Sequence, residues 1–387
     1  MKAQIISAVS HSIDADPSLA VDQLIVSSNE QLGSHMPQAG ILFAGVDIEL
    51  QSVTNGLYTQ WPELQLIGCS TDGEFSSVEG FTEDSIVLIL FASDSIDMVA
   101  GFIDNRTDDL RGDCRRAVSA AMQRSEQDPS LCILLSDVLT GNGESVVSNV
   151  SDALNNLVPV VGGMAGDNWR FSQTHQLCNN SVFNNGSVFL LFCGPLKYSY
   201  GVDCGWDAIG EMGTITRSDK NVIYEIDHQP ALKFYHDALG EKAVPTENLP
   251  LAVYDSSSNF RFMRASFSEF DHTTGAVTYL GGMPENSGVR VTRVNSDSII
   301  SGSKNSALQA SERFPGASSA SIALCFSCGA RRQLLGKRTF EEFQSVQDTV
   351  GEGIPIAGFY TYGEFCPPMP WANTEFHNET FVTLLIG

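Results

Sequence analysis

Short apolar runs alternate with amphipathic stretches over most of the chain. Three of these runs have about the five-to-six-residue length usual for a β-strand: Gly40–Ala44, Leu131–Ser136 and Ile322–Ser327. After the second and third runs, apolar residues recur three or four positions apart, which predicts helices: Val146, Val150, Ala153 and Leu157, then Phe340, Phe343, Val346 and Val350. Because the strands are apolar throughout, the pattern predicts an α/β fold with mixed sheets covered by helices.

The clearest feature of the sequence is an internal repeat. Each copy is a short apolar strand ending in Gly, a loop, and a second Gly followed by an acid: Leu66–Phe75, Val160–Asp167 and Ile356–Phe365. Another apolar strand follows each loop: Asp84–Ala92, Gly186–Cys193 and Thr380–Ile386. With the preceding elements, the sequence predicts three copies of a helix–strand–helix–strand–Gly loop–strand unit.

About a hundred residues, from Pro195 to roughly Asp297, do not fit this unit. Within them Val222–Asp227 predicts a strand, and Gln229–Leu239 predicts a helix with Pro in its first turn and Gly240 after its last residue. A strand–turn–strand pattern follows, so we predict an α+β insert. The predicted domains are residues 1–220, with two units, and residues 221–387, with the insert and the third unit.

Charge and cysteine usage narrow the class of protein. The 46 acidic and 22 basic residues give a net charge of −24, and a field of that sign repels phosphate, which excludes nucleic acid and anionic membranes as partners. No window approaches the roughly 18 apolar residues of a membrane-spanning helix, and Met1–Ser7 does not resemble a signal peptide. Cysteines dispersed in apolar strands, such as Cys132 and Cys193, are typical of a reducing compartment. We expect a cytoplasmic protein.

Five segments resemble the FIST family of sensory domains. The run Gly68–Glu74 is similar to part of the FIST N-terminal domain, and Val222–Tyr235 is similar to the opening of the FIST C-terminal domain. Three later segments resemble closing motifs of that domain: Phe326–Arg331, Gly358–Glu364 and Phe376–Thr380. Together they span nearly the whole chain in the expected order.

The resemblance implies a sensory, ligand-binding module of bacterial signal transduction. Stand-alone FIST proteins of the NosP type have only this pair of domains; they bind haem and report nitric oxide to a partner histidine kinase in a two-component system. By this resemblance the chain is expected to be a non-catalytic haem sensor for nitric oxide that acts through a separate kinase. Self-association is left open.

Haem iron needs an axial ligand such as His, Cys, Met or Tyr in an apolar pocket. Among the seven histidines, His377 is the first candidate for the iron ligand and His175 the second, since each precedes the last strand of its copy. There the Gly loops can open a crevice at the sheet edge. The alternative for each is a histidine that caps a turn. Cys366 before Pro367 is a rival thiolate ligand, although a proline there also simply ends the strand.

Acidic residues recur at the tips of the Gly loops: Asp72, Glu74, Asp167 and Glu364. Such carboxylates hold the amine of a small ligand or cap backbone N–H groups of the loop, and the sequence leaves both roles open. Tyr360 and Tyr362 beside Glu364 favour a pocket wall in the third copy. The alternative function is therefore a receptor for a small amino-acid-like metabolite without haem. The third possible function is that of a scaffold protein that binds no ligand.

Two motifs resemble those of enzymes but lack essential parts. Gly68–Ser70 follows a strand like a nucleophile elbow, yet the next Gly is one residue too far and a strand follows instead of a helix. The Gly-rich turn Leu139–Ser145 lacks the Gly-Lys-Ser/Thr ending of a phosphate loop, and Glu144 would repel phosphate. The sequence therefore predicts no catalysis.

Overall fold

The first repeat unit occupies the N-terminal part of the chain. A computed structural model describes residues 5–141, 143–316 and 319–387. The elements of the first unit are β1 (Ile6–Ser12), α1 (Pro17–Leu32), β2 (Ala39–Gly45), α2 (Leu50–Gln60), β3 (Gln65–Thr71), β4 (Glu74–Ser76), β5 (Gly80–Thr82) and β6 (Ile86–Ala92). Helix α1 begins where Asp16 accepts hydrogen bonds from the backbone N–H groups of Ser18 and Leu19, and it ends at Gly33 with a positive φ.

The second unit repeats this order of elements. Its elements are β7 (Asp97–Asp104), α3 (Leu110–Met122), β8 (Pro129–Ser136), α4 (Gly143–Ala153), β9 (Val160–Met164), β10 (Gln176–Cys178), β11 (Ser181–Phe183) and β12 (Gly186–Cys193). The order is again strand–helix–strand–helix–strand, a short hairpin, and a final strand.

The insert interrupts the third unit after its first strand, β13 (Tyr198–Asp203). It contains β14 (Asp207–Asp219), β15 (Val222–Ile226), β16 (Gln229–Pro230), α5 (Ala231–Leu239), β17 (Leu251–Tyr254), β18 (Phe260–Arg264), β19 (Val277–Thr278) and β20 (Gly288–Arg293). These strands form their own sheet, in the order β16-β15-β14-β20-β17-β18 with β19 beside β15. The insert is α+β, as predicted.

The third unit continues after the insert. Its elements are α6 (Ser296–Arg313), β21 (Ile322–Cys328), α7 (Gly329–Leu335), a 3-10 turn (Gly336–Arg338), α8 (Thr339–Val350), β22 (Ile356–Thr361), β23 (Glu364–Cys366), β24 (Glu375–His377) and β25 (Phe381–Ile386). The predicted α/β fold of three repeated units with mixed sheets is confirmed.

Each unit completes its sheet with a hairpin from another unit. The three orders are β1-β6-β2-β3-β10-β11, β7-β12-β8-β9-β23-β24 and β13-β25-β21-β22-β4-β5. Unit two therefore supplies a hairpin to unit one, unit three to unit two, and unit one to unit three. This cyclic exchange joins the three units through main-chain hydrogen bonds.

The predicted unit needs two corrections. Each unit begins with a strand rather than a helix, and each Gly loop continues into a hairpin whose strands have only three residues. Strand β13 lies among the residues assigned to the insert, but it pairs with β25, Tyr198 opposite Ile386. Its signal is weak because half of its side chains are only partly buried. The division at residue 220 stays a prediction, although the first strand of the third unit precedes it.

The inner faces of the three repeat sheets share one apolar core. Phe43 of unit one packs against Phe326 and Phe359 of unit three, with ring centroids 6.5 and 4.5 Å apart, and Phe91 meets Phe192 of unit two at 5.4 Å. Helices cover the outer faces, so the central strands are buried on both sides. That double burial explains their continuous apolar sequences.

The first glycine of each repeat permits close approach of parallel strands. A Cβ on Gly68, Gly162 or Gly358 would lie 2.2, 1.9 or 2.1 Å from a carbonyl oxygen of the neighbouring strand. The repeated glycine is therefore a requirement of sheet packing. Among the described residues, the helices are too short or too polar to cross a membrane. The nine cysteines, all within the described ranges, are free thiols.

Candidate functional site

A pocket of about 720 Å³ lies where the second unit, the third unit and the insert meet. The second unit contributes the turn before α4 and the loop after β9. The third unit contributes the loop after β22 and the residues around the starts of α7 and β25, and the insert contributes the β14–β15 turn and the loops before and after β19. The lining residues used below are Gly143, Glu144, Met164, Trp169, Phe171, Lys220, Phe267, Gly282, Cys328, Tyr362, Phe376, Asn378 and Glu379.

Aromatic rings from three parts of the chain form one wall of the pocket. The Tyr362 ring lies 5.6 Å from Trp169 and 5.0 Å from Phe171, between centroids, and Phe171 lies 5.9 Å from Phe267 of the insert. Phe171 and Phe267 are 43 % and 40 % exposed. Large apolar side chains left open to a cavity indicate a binding surface.

Asp167 holds the loop that carries Trp169 and Phe171. Its carboxylate accepts hydrogen bonds from the backbone N–H groups of residues 171, 172 and 173 at 3.0, 2.7 and 3.1 Å, and from the Tyr362 hydroxyl at 3.1 Å. Partial burial tends to raise the pKa of Asp167, but these donors outweigh it and lower the pKa below its ordinary value. Asp167 therefore caps backbone N–H groups, which is one of the two roles that the sequence leaves open.

Asp72 supports the aromatic wall from behind. Its Oδ2 accepts a hydrogen bond from Trp169 Nε1 at 2.8 Å, and its Oδ1 lies 3.2 Å from Arg332 Nη1. Arg332 also pairs with Glu83 near the surface. Burial raises the pKa of Asp72 to about 7, despite the opposing charge of Arg332. Asp72 therefore positions Trp169 and does not line the pocket itself.

Glu379 supplies a buried carboxyl group to the pocket. The residue is 2 % exposed and adopts a positive φ of 62°, and its Oε2 has no hydrogen-bond partner among the described residues. Burial and then the nearby charge of Glu364 raise its pKa well above the ordinary value, while Arg331 opposes the shift. Both effects therefore disfavour the ionised carboxylate in the free protein.

Glu144 connects the insert to the second unit at the edge of the pocket. Its Oε1 lies 3.2 Å from Nη2 of Arg264, and its Oε2 accepts a hydrogen bond from the Gly282 N–H at 2.7 Å. Arg264 is fully buried, with its guanidinium 4.0 Å from the ring centroid of Phe262 and 4.8 Å from that of Phe376. The Gly-rich turn rejected as a phosphate loop thus borders the pocket, although its Asn142 lies outside the described residues.

Of the residues predicted for the site, Tyr362 lines the pocket and three others lie elsewhere in the third unit. Tyr360 is buried and donates its hydroxyl hydrogen to Glu342 at 2.6 Å. Glu364 accepts hydrogen bonds from Thr380 N and Oγ1 at 3.1 and 2.7 Å, and burial raises its pKa to about 8. Cys366 is fully buried at the end of β23.

The structure does not bring the predicted iron ligands to the pocket. His377 is fully buried, its Nε2 lies 2.8 Å from the Cys366 carbonyl oxygen, and burial lowers its pKa to about 4. Its neighbours Phe376 and Asn378 line the pocket, and side chains alternate along a strand, so His377 faces the other way. His175 is half-buried, with Nδ1 2.9 Å from the Asn184 amide.

The repeat also needs a correction at its acidic position. Each exchanged hairpin begins with a buried polar residue opposite the position after a strand glycine: Glu74 opposite Phe359, Gln176 opposite Cys69, and Glu364 opposite Gly163. The counterpart of Glu74 and Glu364 in unit two is therefore Gln176. Asp167 is a poor match because the second Gly loop is longer and reaches its hairpin nine residues later.

Sequence reasoning missed Glu379 and most of the aromatic wall. Glu379 belongs to a segment already singled out, Phe376–Thr380, where the neighbouring histidine is the more conspicuous residue. The signal for the wall is a pair of aromatic residues, Trp169 and Phe171, in a polar loop. Phe267 gives no such signal, since only the folded insert brings it to the pocket.

Two family models match consecutive parts of the chain. The FIST N domain model matches residues 38–229, and the FIST C domain model matches residues 231–367. The chain belongs to the FIST family. Membership indicates a sensory role in signalling for this FIST protein.

More distant similarities were also found. An uncharacterized protein of Methanocaldococcus jannaschii is 24 % identical over 201 residues, which cover 50 % of this FIST protein and 38 % of that relative. The match thus spans well under half of the relative's length. A crystal structure of cyanuric acid hydrolase from A. caulinodans has a TM-score of 0.36 at 11 % identity, covering 98 % of both chains. A second cyanuric acid hydrolase structure has a TM-score of 0.39 at 8 % identity, covering 99 % of this chain and 100 % of the other.

Proposed function

We propose that this FIST protein is a cytoplasmic, non-catalytic receptor for a small metabolite of about amino-acid size. The observation that carries the proposal is the buried carboxyl of Glu379, whose Oε2 lacks a partner among the described residues, in a pocket of about 720 Å³ with an aromatic wall. Ligand sites are typically mostly apolar cavities with a few placed polar groups, of roughly 300–1,000 Å³. The acid is Glu379 and not Glu364, whose oxygens are used by Thr380 and Thr361.

The chemistry of the lining supports binding without catalysis. Cys328 is the cysteine that lines the described pocket, and burial raises its pKa well above the ordinary value. A thiol is nucleophilic only as the thiolate, so this cysteine is held in its unreactive form. Glu144 is engaged by Arg264 and by backbone, and is not placed as a free base.

We propose that ligand binding is reported through the position of the insert. The pocket lies between the insert and the repeat core, and Glu144 connects the two through Arg264 and Gly282. The insert and the repeat core can adopt more than one relative position. A ligand that contacts both shifts the equilibrium toward the position for which it has the higher affinity. We propose that a separate histidine kinase receives this signal. The basis for the kinase is the family resemblance.

The second candidate function is a haem-containing sensor for nitric oxide. Met164, Cys328 and Tyr362 line the pocket, and thioether, thiolate and phenolate groups are known axial ligands. The histidines chosen for this role do not fit it, because none lies among the described lining residues, and the Cys328 thiol is held protonated. An absorbance spectrum after haem is added to the purified protein tests this candidate. A Soret band that disappears in Met164→Ala would favour haem over a metabolite.

A thermal-shift screen with small metabolites tests the receptor proposal. We expect a ligand that raises the melting temperature of the wild-type chain and has little effect on Phe267→Ala and Trp169→Ala, because both variants remove part of the pocket wall. Trp371→Ala is the matched control, since this tryptophan is 100 % exposed and lies outside the pocket. A shift that survives both wall substitutions would place binding elsewhere. If no metabolite of the panel changes the melting temperature, the result would favour a scaffold protein that binds no ligand.

A further inference from the structure

We infer that the pocket takes a compact organic ammonium ion, with the charged nitrogen at Glu379 and the hydrocarbon part against the aromatic wall. This inference rests on the proposed receptor function and assigns the ligand's chemical class. Free amines and the amino group of a zwitterion share this chemistry. Three features of the pocket support it: the unused carboxyl, the aromatic rings, and the balance of charge around them.

The carboxyl of Glu379 contrasts with that of Glu364 in the same part of the third unit. Both residues are almost completely buried, but Glu364 receives hydrogen bonds from Thr361 and Thr380, whereas Oε2 of Glu379 has none among the described residues. A buried polar atom without a partner costs about 1–3 kcal/mol. Glu379 lines the pocket and Glu364 does not. A donor on a ligand would remove this cost at the one carboxyl that the described part of the fold leaves unused.

The aromatic wall favours a cation over an anion. Rings of Trp, Tyr and Phe carry negative charge on their faces and attract an ammonium group within about 6 Å. Trp169, Phe171, Tyr362 and Phe267 form a continuous set of ring contacts beside the pocket. Trp169 and Tyr362 are held in place by Asp72 and Asp167, so the wall is ordered before a ligand arrives.

Most of the charged side chains near Glu379 form ion pairs with other residues. Arg331 forms a buried ion pair with Glu342, and its Nη1 donates to the Glu379 backbone carbonyl rather than to its carboxylate. Elsewhere around the pocket, Glu144 is paired with Arg264, and Lys220 is an exposed residue on the lining. The other groups that act on Glu379 are acidic or neutral: Glu364, Glu247 and the Cys328 thiol. An arriving anion would therefore find its cation at Lys220, on the exposed turn of the insert, and not at the buried Glu379 carboxyl.

Binding of the ammonium ion should release a proton. Burial raises the pKa of Glu379 in the free protein and so favours its protonated form. The ammonium ion stabilises the carboxylate, so the complex forms as R–NH₃⁺ with –COO⁻ while the carboxyl proton leaves to solvent. The apparent affinity should then rise by up to about tenfold per pH unit, as long as the pH lies below the pKa of the free protein.

Isothermal titration calorimetry tests the inference with a panel of probes. The panel contains butylammonium, butyltrimethylammonium and norleucine, with pentanamide as the neutral counterpart. A pH-indicator dye in weakly buffered phosphate gives the number of protons released and avoids amine buffers, which are themselves organic ammonium ions. We expect the charged probes to bind more tightly than pentanamide and to release a proton when the pH lies below the pKa of free Glu379. The relative affinities of butylammonium and norleucine distinguish a free amine from an amino acid.

Glu379→Gln is the decisive variant, and Glu364→Gln is its isosteric control. We expect Glu379→Gln to weaken the charged probes by about tenfold or more, to abolish proton release, and to leave pentanamide binding unchanged or improved. Glu364→Gln should retain the affinity for the charged probes, since Glu364 does not line the pocket. Circular dichroism establishes that each variant is folded, and Glu379→Asp provides a second variant that keeps the acid.

Two results would overturn the inference. One is a panel in which no charged probe is preferred over its neutral counterpart; the other is binding of charged probes that does not depend on Glu379. If a neutral or anionic metabolite then binds and its affinity depends on Trp169 and Phe267, the receptor proposal stands and only the ligand class is wrong. If no compound depends on those wall residues, both proposals fail.

Discussion

Buried carboxyl groups make the stability of this protein depend on pH. Burial raises the pKa of Glu74 to about 7 and that of Glu364 to about 8. A folded-state pKa above the unfolded value gives stability that is fully present below the unfolded pKa, near 4.5, and is lost as pH rises through the folded pKa. A pKa difference of one between the folded and unfolded chain corresponds to about 1.4 kcal/mol of stability. We therefore expect the urea midpoint to fall progressively between pH 5 and about pH 8.

Glu364→Gln should make the chain more stable at high pH. The equivalent position of unit two already holds an amide, where Gln176 donates to Thr174 Oγ1 at 2.9 Å and accepts from the Gly186 N–H at 3.3 Å. An amide at position 364 can make the same pair of bonds with Thr361 and Thr380. Urea unfolding should give wild-type stability at pH 5 and a gain of about 1–3 kcal/mol at pH 8.

Glu352→Gln, at an exposed position, is the control for this comparison and should match the wild-type curve at every pH. Equal losses of stability in Glu364→Gln at pH 5 and pH 8 would contradict the explanation, because they would show that the carboxyl is ionised in the folded state throughout.

A buried ion pair joins helix α8 to helix α7 within the third unit. Oε1 of Glu342 lies 2.8 Å from Nη2 and 3.0 Å from Nε of Arg331, and its Oε2 accepts from Ser327 and Tyr360. Glu342→Gln leaves the buried guanidinium without its counter-charge. Removing one partner of such a pair costs about 3–5 kcal/mol, which urea unfolding at pH 7 should detect.

The adjacent residue of the same helix offers a matched control. Glu341 pairs with Arg338, whose side chain is 41 % exposed, and exposed ion pairs contribute about 0–1 kcal/mol. Glu341→Gln should therefore change stability by less than about 1 kcal/mol. Similar losses in the two variants would mean that α8 is stabilised by helix propensity or surface charge and not by the buried pair.

At the scale of the whole molecule, the sequence predicts the parts of the fold that are buried on both sides. The central strands are continuous apolar runs, and β3, β9 and β22 each contain a glycine that sheet packing demands, so the three units are visible without a structure. The exchanged hairpins cannot be recognised in the sequence, because three-residue strands such as Glu74–Ser76 are too short to show the alternation of apolar and polar residues. Strand β13 is hidden by polar and half-buried residues, and its unit is interrupted by the insert.

The candidate site is harder to predict than the fold for a physical reason. Its lining comes from positions as distant in sequence as Glu144, Phe267 and Glu379, and no local pattern relates them. Tyr362 is predictable because it lies next to a repeated motif. His377 has the right chemistry for an iron ligand, but strand alternation turns it away from the pocket, and one residue of register separates it from Asn378.

Removal of the insert tests how the molecule is assembled. The insert leaves and re-enters the third unit at neighbouring points, since Asp207 and Arg293 are paired across β14 and β20. Replacing residues 208–292 by Asn-Gly closes that pair with a two-residue turn of the kind that joins antiparallel strands. The three repeat sheets keep all their strands, so we expect a folded chain by circular dichroism and NMR dispersion. It should lose ligand binding, because Phe267 and Gly282 leave with the insert.

A fragment of residues 5–194 is the opposite test, and its outcome follows from the exchange of hairpins. This fragment contains the first two units complete in sequence, but β9 loses its neighbour β23, and β4 loses β22. Exposed strand edges and an open core should leave it unfolded or aggregated. If the fragment folded as a monomer while the insert-deleted chain did not, the repeat units would be independent and the insert would be the organising element. The cyclic exchange predicts the reverse, since it makes each sheet depend on a hairpin from another unit.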